Sequence, residues 1–381
     1  MSFVFVDECF ARGMKEKFQQ NQKEYRQLKM EMELCAEEYL PVNPFSVTYH
    51  ACSRSPGGLK DYYSEGPYWW PDPDHPDGPY ILKDGQVNPD RFTTHKNEFR
   101  EMSLAVLSLC YAGYYLDRRD CSDRAAEWLK TWFLDPITGM NPHVDYGEAV
   151  IRLCTGKASG IIVVTSIDTC IHALGFLEAC GGYDDLIGDM KIWLSKFLHW
   201  LRTSKIGVEE SKSKNNHGTW YIAHIMAIAA YLEDEETLQY ACDRFRQLVL
   251  SRQIAPDGSF PLELARTRSF HYSLFNCEAI TVACEAAWYR GVDLWNAVGE
   301  NGHTLVDAAE YLYPFYQQPM LWENRQLVGD ISMDEAFFQL LSLRSGDDRF
   351  RALNQIRGKR CLLYRNKTPL GPLSLLPGYF E

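Results

Sequence analysis

The stretch KNNHGTWYIAHIMAIAAYLEDEETLQYACDRFRQLVLSRQIAPDGSFPLELARTRSFHY, residues 214–272, decides how the chain is read. Two segments with apolar residues at helical spacing, Gly218 to Leu232 and Glu235 to Leu250, are joined by the acidic turn Glu233-Asp234-Glu235. So short a connection makes the two helices lie antiparallel. The ends of the stretch have another character. Lys214 to Tyr221 and Glu263 to Tyr272 crowd amide, imidazole, guanidinium and phenol groups beside helices that are otherwise structural.

Outward from this pair the pattern repeats. Asp7 to Leu40 predicts one or two helices with Phe10, Met14, Phe18, Tyr25, Leu28 and Met32 near helical spacing. Glu98 to Tyr115 predicts a buried helix, and Ser122 a cap for the next, which carries Ala125, Trp128, Leu129 and Phe133. Val164 to Ala179 and Tyr183 to Leu201 form a further pair, broken by Gly181-Gly182, with Ile192, Trp193, Phe197, Trp200 and Leu201 as a core stripe. Leu274 to Tyr289, His303 to Tyr316 and Asp334 to Leu343 complete the helices. Strand signal is slight and no fixed-length repeat occurs. The expected fold class is all-α, an (α/α) toroid or barrel of antiparallel helix pairs with long functional loops at one end, in a single domain over 1–381.

Residues 41–94 abandon helical periodicity for Pro, Gly, Asp and aromatic residues. They read as an ordered lid or wall over a cleft, with Lys60, Tyr62, Tyr63, Tyr68, Trp69 and Trp70 facing a ligand. For Trp69 and Trp70, anchoring the loop on the helices is the equal alternative. Asp72, Asp74 and Asp77 fit Pro-Asp turns better than calcium ligands. A second loop, 135–160, carries Asn141, His143 and Tyr146, and residues 346–381 read as an irregular tail.

A net charge of −12 argues against nucleic acid as the main partner and repels polyanions in general. An acidic polysaccharide would need a locally basic cleft, for which Lys60, Lys212, Lys214, Arg266 and Arg268 are the candidates. The 10 Trp, 22 Tyr and 19 Phe exceed what a simple core needs and suit flat platforms for sugar rings. Twelve Cys without a Cys-x-x-Cys pair or metal-ligand spacing predict reduced thiols or buried small hydrophobes rather than a disulfide framework, and no cofactor is expected. The N-terminus lacks a basic leader, and no run of about 18 apolar residues is found. A cytoplasmic protein without a membrane partner is the expectation, a secreted or periplasmic protein with its signal removed the alternative. Oligomeric state is not legible.

The two polar clusters carry what elimination beside a uronic acid requires. The C5 proton is weakly acidic because its neighbouring carboxylate is already negative, so donors must neutralise that carboxylate, a base must take the proton, and an acid must protonate the departing O4. Asn216 and Arg266 suit the first task, His217 and Tyr272 the other two. A phenol is a poor base at its ordinary pKa of about 10, and a guanidinium beside it favours phenolate. In mannuronate and glucuronate H5 and O4 leave from one face, so one Tyr can take the proton and return it. In guluronate they leave from opposite faces, and a second group such as His217 must act as base.

These residues resemble the alginate lyase superfamily of polysaccharide lyases, which includes mannuronate-specific alginate lyases and glucuronan lyases. The resemblance covers most of the chain and rests on Asp61-Tyr62, Pro67-Tyr68-Trp69-Trp70-Pro71-Asp72-Pro73, Trp132-Phe133-Leu134-Asp135, Met140-Asn141-Pro142, Asn215-Asn216-His217-Gly218, Gln253-Ile254, Asp257-Gly258 and Glu263-Leu264-Ala265-Arg266-Thr267. It implies an incomplete toroid and a metal-free lyase with Asn216, His217, Arg266 and Tyr272 as its catalytic set. Lys60, Tyr62, Tyr68, Trp69, Asn141, Asn215, Trp220, Arg268 and His271 are expected to line the substrate. Better-known alginate lyases of the group have one more residue between the Arg and the Tyr than this chain, which stands closer to the branch with the Trp-Trp-Pro-Asp-Pro segment.

Each residue alone has a plainer reading. Asn216 would cap a helix, His217 and Tyr272 would be satisfied core or interface residues, and Glu263 would pair with Arg266. Two rival functions share the scaffold. A uronide hydrolase would need two carboxylates across the cleft, and the clusters hold only Glu263. A non-catalytic sugar-binding protein would not need the four catalytic side chains.

Overall fold

The computed structural model describes residues 3–327 and 336–350, so the tail expected beyond residue 350 lies outside the described residues. The chain divides into two compact units, one built from Phe3 and residues 12–211, the other from residues 4–11 and from 212 onward.

The first unit takes in most of α1 (Glu8–Gln19) and then α2 (Arg26–Tyr39), α3 (Thr94–Tyr115), α4 (Arg119–Leu129), α5 (Thr165–Cys180), α6 (Asp184–Thr203) and α7 (Lys205–Glu210). At its centre α3 packs on α4 and α5, because both α3 and α5 are apolar on nearly every face and must be covered all round. Ser122 is not a cap. The helix starts at Arg119, and the buried Ser122 hydroxyl faces Gly113, where only a residue without a side chain lets α3 and α4 come so close. The stretch Ala158–Cys180 is, contrary to expectation, long and apolar enough to cross a membrane, but 89% of its apolar window is buried within the protein. Aromatic rings extend the packing, Phe99 stacking on Trp132 at 5.0 Å and Trp193 on Phe197 at 5.2 Å. Of the expected stripe on α6, Trp193, Phe197 and Leu201 are buried, whereas Ile192 is exposed. No two of the described cysteines form a disulfide.

Residues 41–94 are ordered without helices. β1 (Tyr63–Glu65), β2 (Trp69–Trp70), β3 (Ile81–Leu82) and β4 (Tyr146–Ala149) make two small sheets, β1 parallel to β4 and β2 antiparallel to β3. Strands of two to four residues are too short for alternation to show in sequence. The loop is organised on the buried Glu65 carboxylate, which accepts from Arg54 Nε (2.5 Å) and Nη2 (2.9 Å), Tyr63 Oη (2.9 Å) and the Phe92 amide (2.7 Å). Burial alone would raise this carboxyl, but Arg54, Phe92 and Tyr63 hold it below the usual range. The Asp72 carboxylate is turned onto its own loop, accepting from the Asp74 amide at 3.0 Å, as a Pro-Asp turn requires.

The second unit holds α8 (Asn216–Leu232), α9 (Glu235–Phe245), α10 (Pro261–Leu264), α11 (Ser269–Trp288), α12 (Leu305–Gln317) and α13 (Ala336–Ser345). The expected antiparallel pair is present as α8 and α9, with Glu233 in the left-handed conformation ending the first and Asp234 capping the second through the Thr237 amide at 3.0 Å. α8 also packs along α11, which begins at Ser269 rather than at Leu274. Its first turn is satisfied from outside the helix. Gln326 Oε1 accepts from the Phe270 amide at 3.0 Å, and the Ser269 hydroxyl donates to the Arg325 carbonyl at 2.6 Å. Tyr272 therefore stands on the first turn of a helix. α13 is tied to α11 by Arg344, whose guanidinium meets the buried Glu285 carboxylate at 2.8 and 3.1 Å.

Two predictions follow from this packing. Burial pushes the His172 imidazole, bonded to the Tyr111 hydroxyl at 2.9 Å, down to about 3 from an ordinary 6.5. A depressed base stabilises the fold above its unfolded pKa, and that contribution is lost as pH falls from about 6.5 toward 3. Between about pH 7 and pH 5 the wild type should lose about 2 kcal/mol more unfolding free energy than His172→Gln, measured by denaturant titration. At the start of α8, a Cβ on Gly218 would run into the Ser213 carbonyl and sit 2.8 Å from Leu248 Cδ2. Gly218→Ala should cost on the order of 1–3 kcal/mol, seen in the same titration, because a backbone carbonyl cannot swing away as a side chain can.

Candidate active site

Amides arrange the N-terminus of α8. Asn215 is the cap: its backbone is extended and its Oδ1 accepts from the His217 amide at 3.3 Å. Gln253, at the end of the π-helical turn Arg246–Gln253 that continues α9, lies beneath it. Gln253 Nε2 donates to the carbonyls of Lys214 (3.1 Å) and Asn215 (3.0 Å), while Oε1 accepts from Thr219 Oγ1 (3.1 Å) and Asn276 Nδ2 (3.0 Å) of α11. Both donors and both lone pairs of this amide are engaged, so the helix start is fixed from within. Gln253 and Asn276 were not among the expected site residues. Gln253 stood in a family-like segment, but nothing in one sequence shows which backbone a buried amide will meet.

Asn216, fully buried, follows the cap. Its backbone N–H and its Nδ2 both donate to the Glu263 carboxylate of α10, each at 2.6 Å, and its Oδ1 has no hydrogen-bond partner among the described residues. Two expectations are corrected here. Glu263 is held by Asn216 rather than by an ion pair with Arg266, because both donors of Asn216 point into the same buried space. Asn216, expected to donate straight to a sugar carboxylate, is closed off from the surface. Glu263 is 1% exposed, and burial pushes its carboxyl up from the usual range against the opposing pull of the Asn216 bonds and of the Arg266 and His217 charges.

Arg266 lies over the ring of Tyr272. The guanidinium carbon lies 3.8 Å from the centroid of the phenol ring, a close cation–π contact. Tyr272 is mostly buried, while His217 and Arg266 are half-exposed. The second unit thus gathers a buried carboxylate, an amide, a guanidinium over a phenol ring and an imidazole on the residue that follows the amide. Such a set can neutralise an acidic group and move a proton. Arg268 stands half-exposed at the N-cap position of α11 without a side-chain capping bond, and His271 stacks on Phe275 at 6.0 Å. Trp220 is a core ring rather than a substrate platform, 1% exposed between His224 and Phe275.

In the first unit, Lys60 Nζ donates to the Pro136 carbonyl at 3.3 Å and its carbonyl accepts from the Asn141 amide at 2.9 Å. Asn141 Nδ2 donates to Asp61 at 2.6 Å. The His143 ring lies between Asp61 (3.1 Å) and Asp145 (3.2 Å), and Trp200 Nε1 donates to Asp145 at 3.0 Å. Tyr62 is corrected to a core residue: it is fully buried against His95 and Phe99. Tyr68 and Trp69 are half-buried, with Lys157 Nζ 5.4 Å from the Trp69 ring centroid. Trp70 anchors its hairpin, Nε1 donating to the Gln86 carbonyl at 2.9 Å. Among the described residues no group of three His, Cys, Asp or Glu gathers where it could hold a metal ion.

Comparison with known proteins shows what the chain is similar to. An alginate lyase from Bacteroides ovatus of known structure is 30% identical, with 98% of each chain covered and a TM-score of 0.88. Alginate lyase A1-III from Sphingomonas species A1 is 20% identical over 82% of this chain and 78% of its own, with a TM-score of 0.52. A histidine-to-alanine variant of A1-III complexed with a tetrasaccharide is 17% identical over 84% of this chain and 88% of its own, with a TM-score of 0.56. No curated protein matches the chain at a significant level. The fold class is the all-α (α/α) toroid class of these enzymes. With the alginate lyase family matching over residues 47–322, the chain belongs to that family of polysaccharide lyases.

Proposed function

We propose that the chain cleaves a β-1,4-linked polyuronate, mannuronan or mixed alginate or glucuronan, by β-elimination and leaves a 4,5-unsaturated uronate end. The observation that carries this reading is the Arg266 guanidinium seated 3.8 Å over the Tyr272 ring. A cation there stabilises the negative charge that develops on a phenol oxygen as it gives up its proton, and it also attracts the carboxylate of an acidic sugar. The tetrasaccharide carried by an A1-III variant supports a carbohydrate chain as ligand.

The step runs as follows. The Tyr272 phenolate takes the C5 proton, the C5–H electron pair becomes the C4–C5 double bond, and the C4–O4 bond breaks with its pair on O4. For a substrate whose H5 and O4 share a face, the phenol returns the proton to O4 and is again a phenolate. Arg266 and a cationic His217 answer the charge that accumulates on the sugar carboxylate. Asn216, buried on Glu263, acts from behind by fixing the start of α8 and with it the position of His217.

Incubation with purified polyuronates should yield ultraviolet-absorbing unsaturated ends without uptake of water. Tyr272→Phe should lower that rate by roughly 10²–10⁴-fold while oligouronate binding, followed by calorimetry, is largely retained. Near-normal turnover in Tyr272→Phe would show that the proton is carried elsewhere.

A further inference from the structure

A carboxylate buried beside a site for an acidic sugar weakens substrate binding by like-charge repulsion, so Glu263 calls for an account. The groups around it supply one. Asn216 presents two donors at 2.6 Å, His217 follows it directly on α8, and Arg266 lies three residues beyond the carboxylate, so that both cations draw its carboxyl down against the larger effect of burial. A cavity of about 60 Å³ beside it is lined by Lys214, Arg252, Gln253 and Asn276 as well as Glu263 itself. Behind it, on α11, the Cys277 thiol is pushed up by burial first and then by the charges of Glu278 and Glu263, so it stays protonated and adds no charge. Among the described residues the basic side chains near this buried carboxylate are Lys214 and Arg252, which line the same cavity, and His217 and Arg266.

We propose that Glu263 is the positioning residue of this site: its paired bonds to Asn216 set the start of α8, and its negative charge keeps His217 cationic beside Arg266. Interaction between two charges is reciprocal, so an imidazolium that favours the carboxylate is favoured by it to the same degree. That imidazolium is the one that answers the charge on the sugar carboxylate in the lyase step above. For the chemical step it serves, the inference rests on the lyase reading above.

The test follows His217 by NMR in protein labelled at histidine, its signal identified by loss in His217→Asn. In Glu263→Gln the His217 protonation midpoint should fall by about one pH unit, whereas Glu263→Asp, which keeps the charge, should hold it near the wild-type value. The alkaline limb of the kcat/KM profile on a polyuronate should move down with it. An unmoved His217 midpoint in Glu263→Gln overturns the proposal, and so does a moved midpoint with an unmoved alkaline limb. Should Glu263→Gln not fold, the side-chain carboxyl carbon of Glu263 in the unaltered protein decides: a carboxylate signal across about pH 6 to 8 supports the proposal, a protonated carboxyl there overturns it. A wild type that yields no unsaturated product ends the lyase reading, while the NMR midpoints still decide whether Glu263 sets the charge of His217.

Discussion

A carboxylate closed off from water has to be met by hydrogen bonds, and Glu263 is met by the backbone and side chain of one residue, Asn216. Because the two stand on different elements, this contact joins α10 to the start of α8. His217 follows Asn216 directly, and Arg266 follows Glu263 by three residues, so the pair sets the positions of both. Hydrogen bonds to a charged group contribute on the order of 1.5–3 kcal/mol each, and losing one partner leaves the other buried and unmet. The geometry of the polar cluster depends on that constraint.

The same device appears in the first unit with the opposite electrostatic balance. Glu65 orders the loop 41–94 as Glu263 orders the α8 start, each a buried carboxylate surrounded by donors. Arg54 brings a full positive charge in a paired contact, and the Glu65 carboxyl lies below the usual range. Among the described residues Glu263 accepts hydrogen bonds from the neutral donors of Asn216, and its carboxyl lies above that range, burial being the first cause. Glu263 is the more deeply buried of the two and meets neutral donors where Glu65 meets a guanidinium, and both differences push its carboxyl higher.

Burial also separates the aromatic residues into two groups. Tyr62, Trp132 and Trp220 fill cores, where each contributes about 1.5–3 kcal/mol or more through area removed from water. Tyr68 and Trp69 stay half-exposed on the ordered loop, with the Lys157 ammonium over the Trp69 ring.

The sequence by itself determined the helical class, the pairing of α8 with α9 across its acidic turn, and the two clusters that hold Asn216, His217, Arg266 and Tyr272. Those features depend on periodicity and on neighbours a few residues away, and a linear chain displays both. Only the tertiary structure decided that Asn215 is the cap while Asn216 is sealed beneath it, that Glu263 belongs to Asn216, that Gln253 and Asn276 brace the helix start, and that α11 begins early enough to carry Tyr272. These outcomes turn on which donor meets which acceptor across tens of residues, 47 between Asn216 and Glu263 and 56 between Phe270 and Gln326. Chain order does not encode such meetings. They arise when burial removes water and leaves each polar group only the partners that packing has brought within reach.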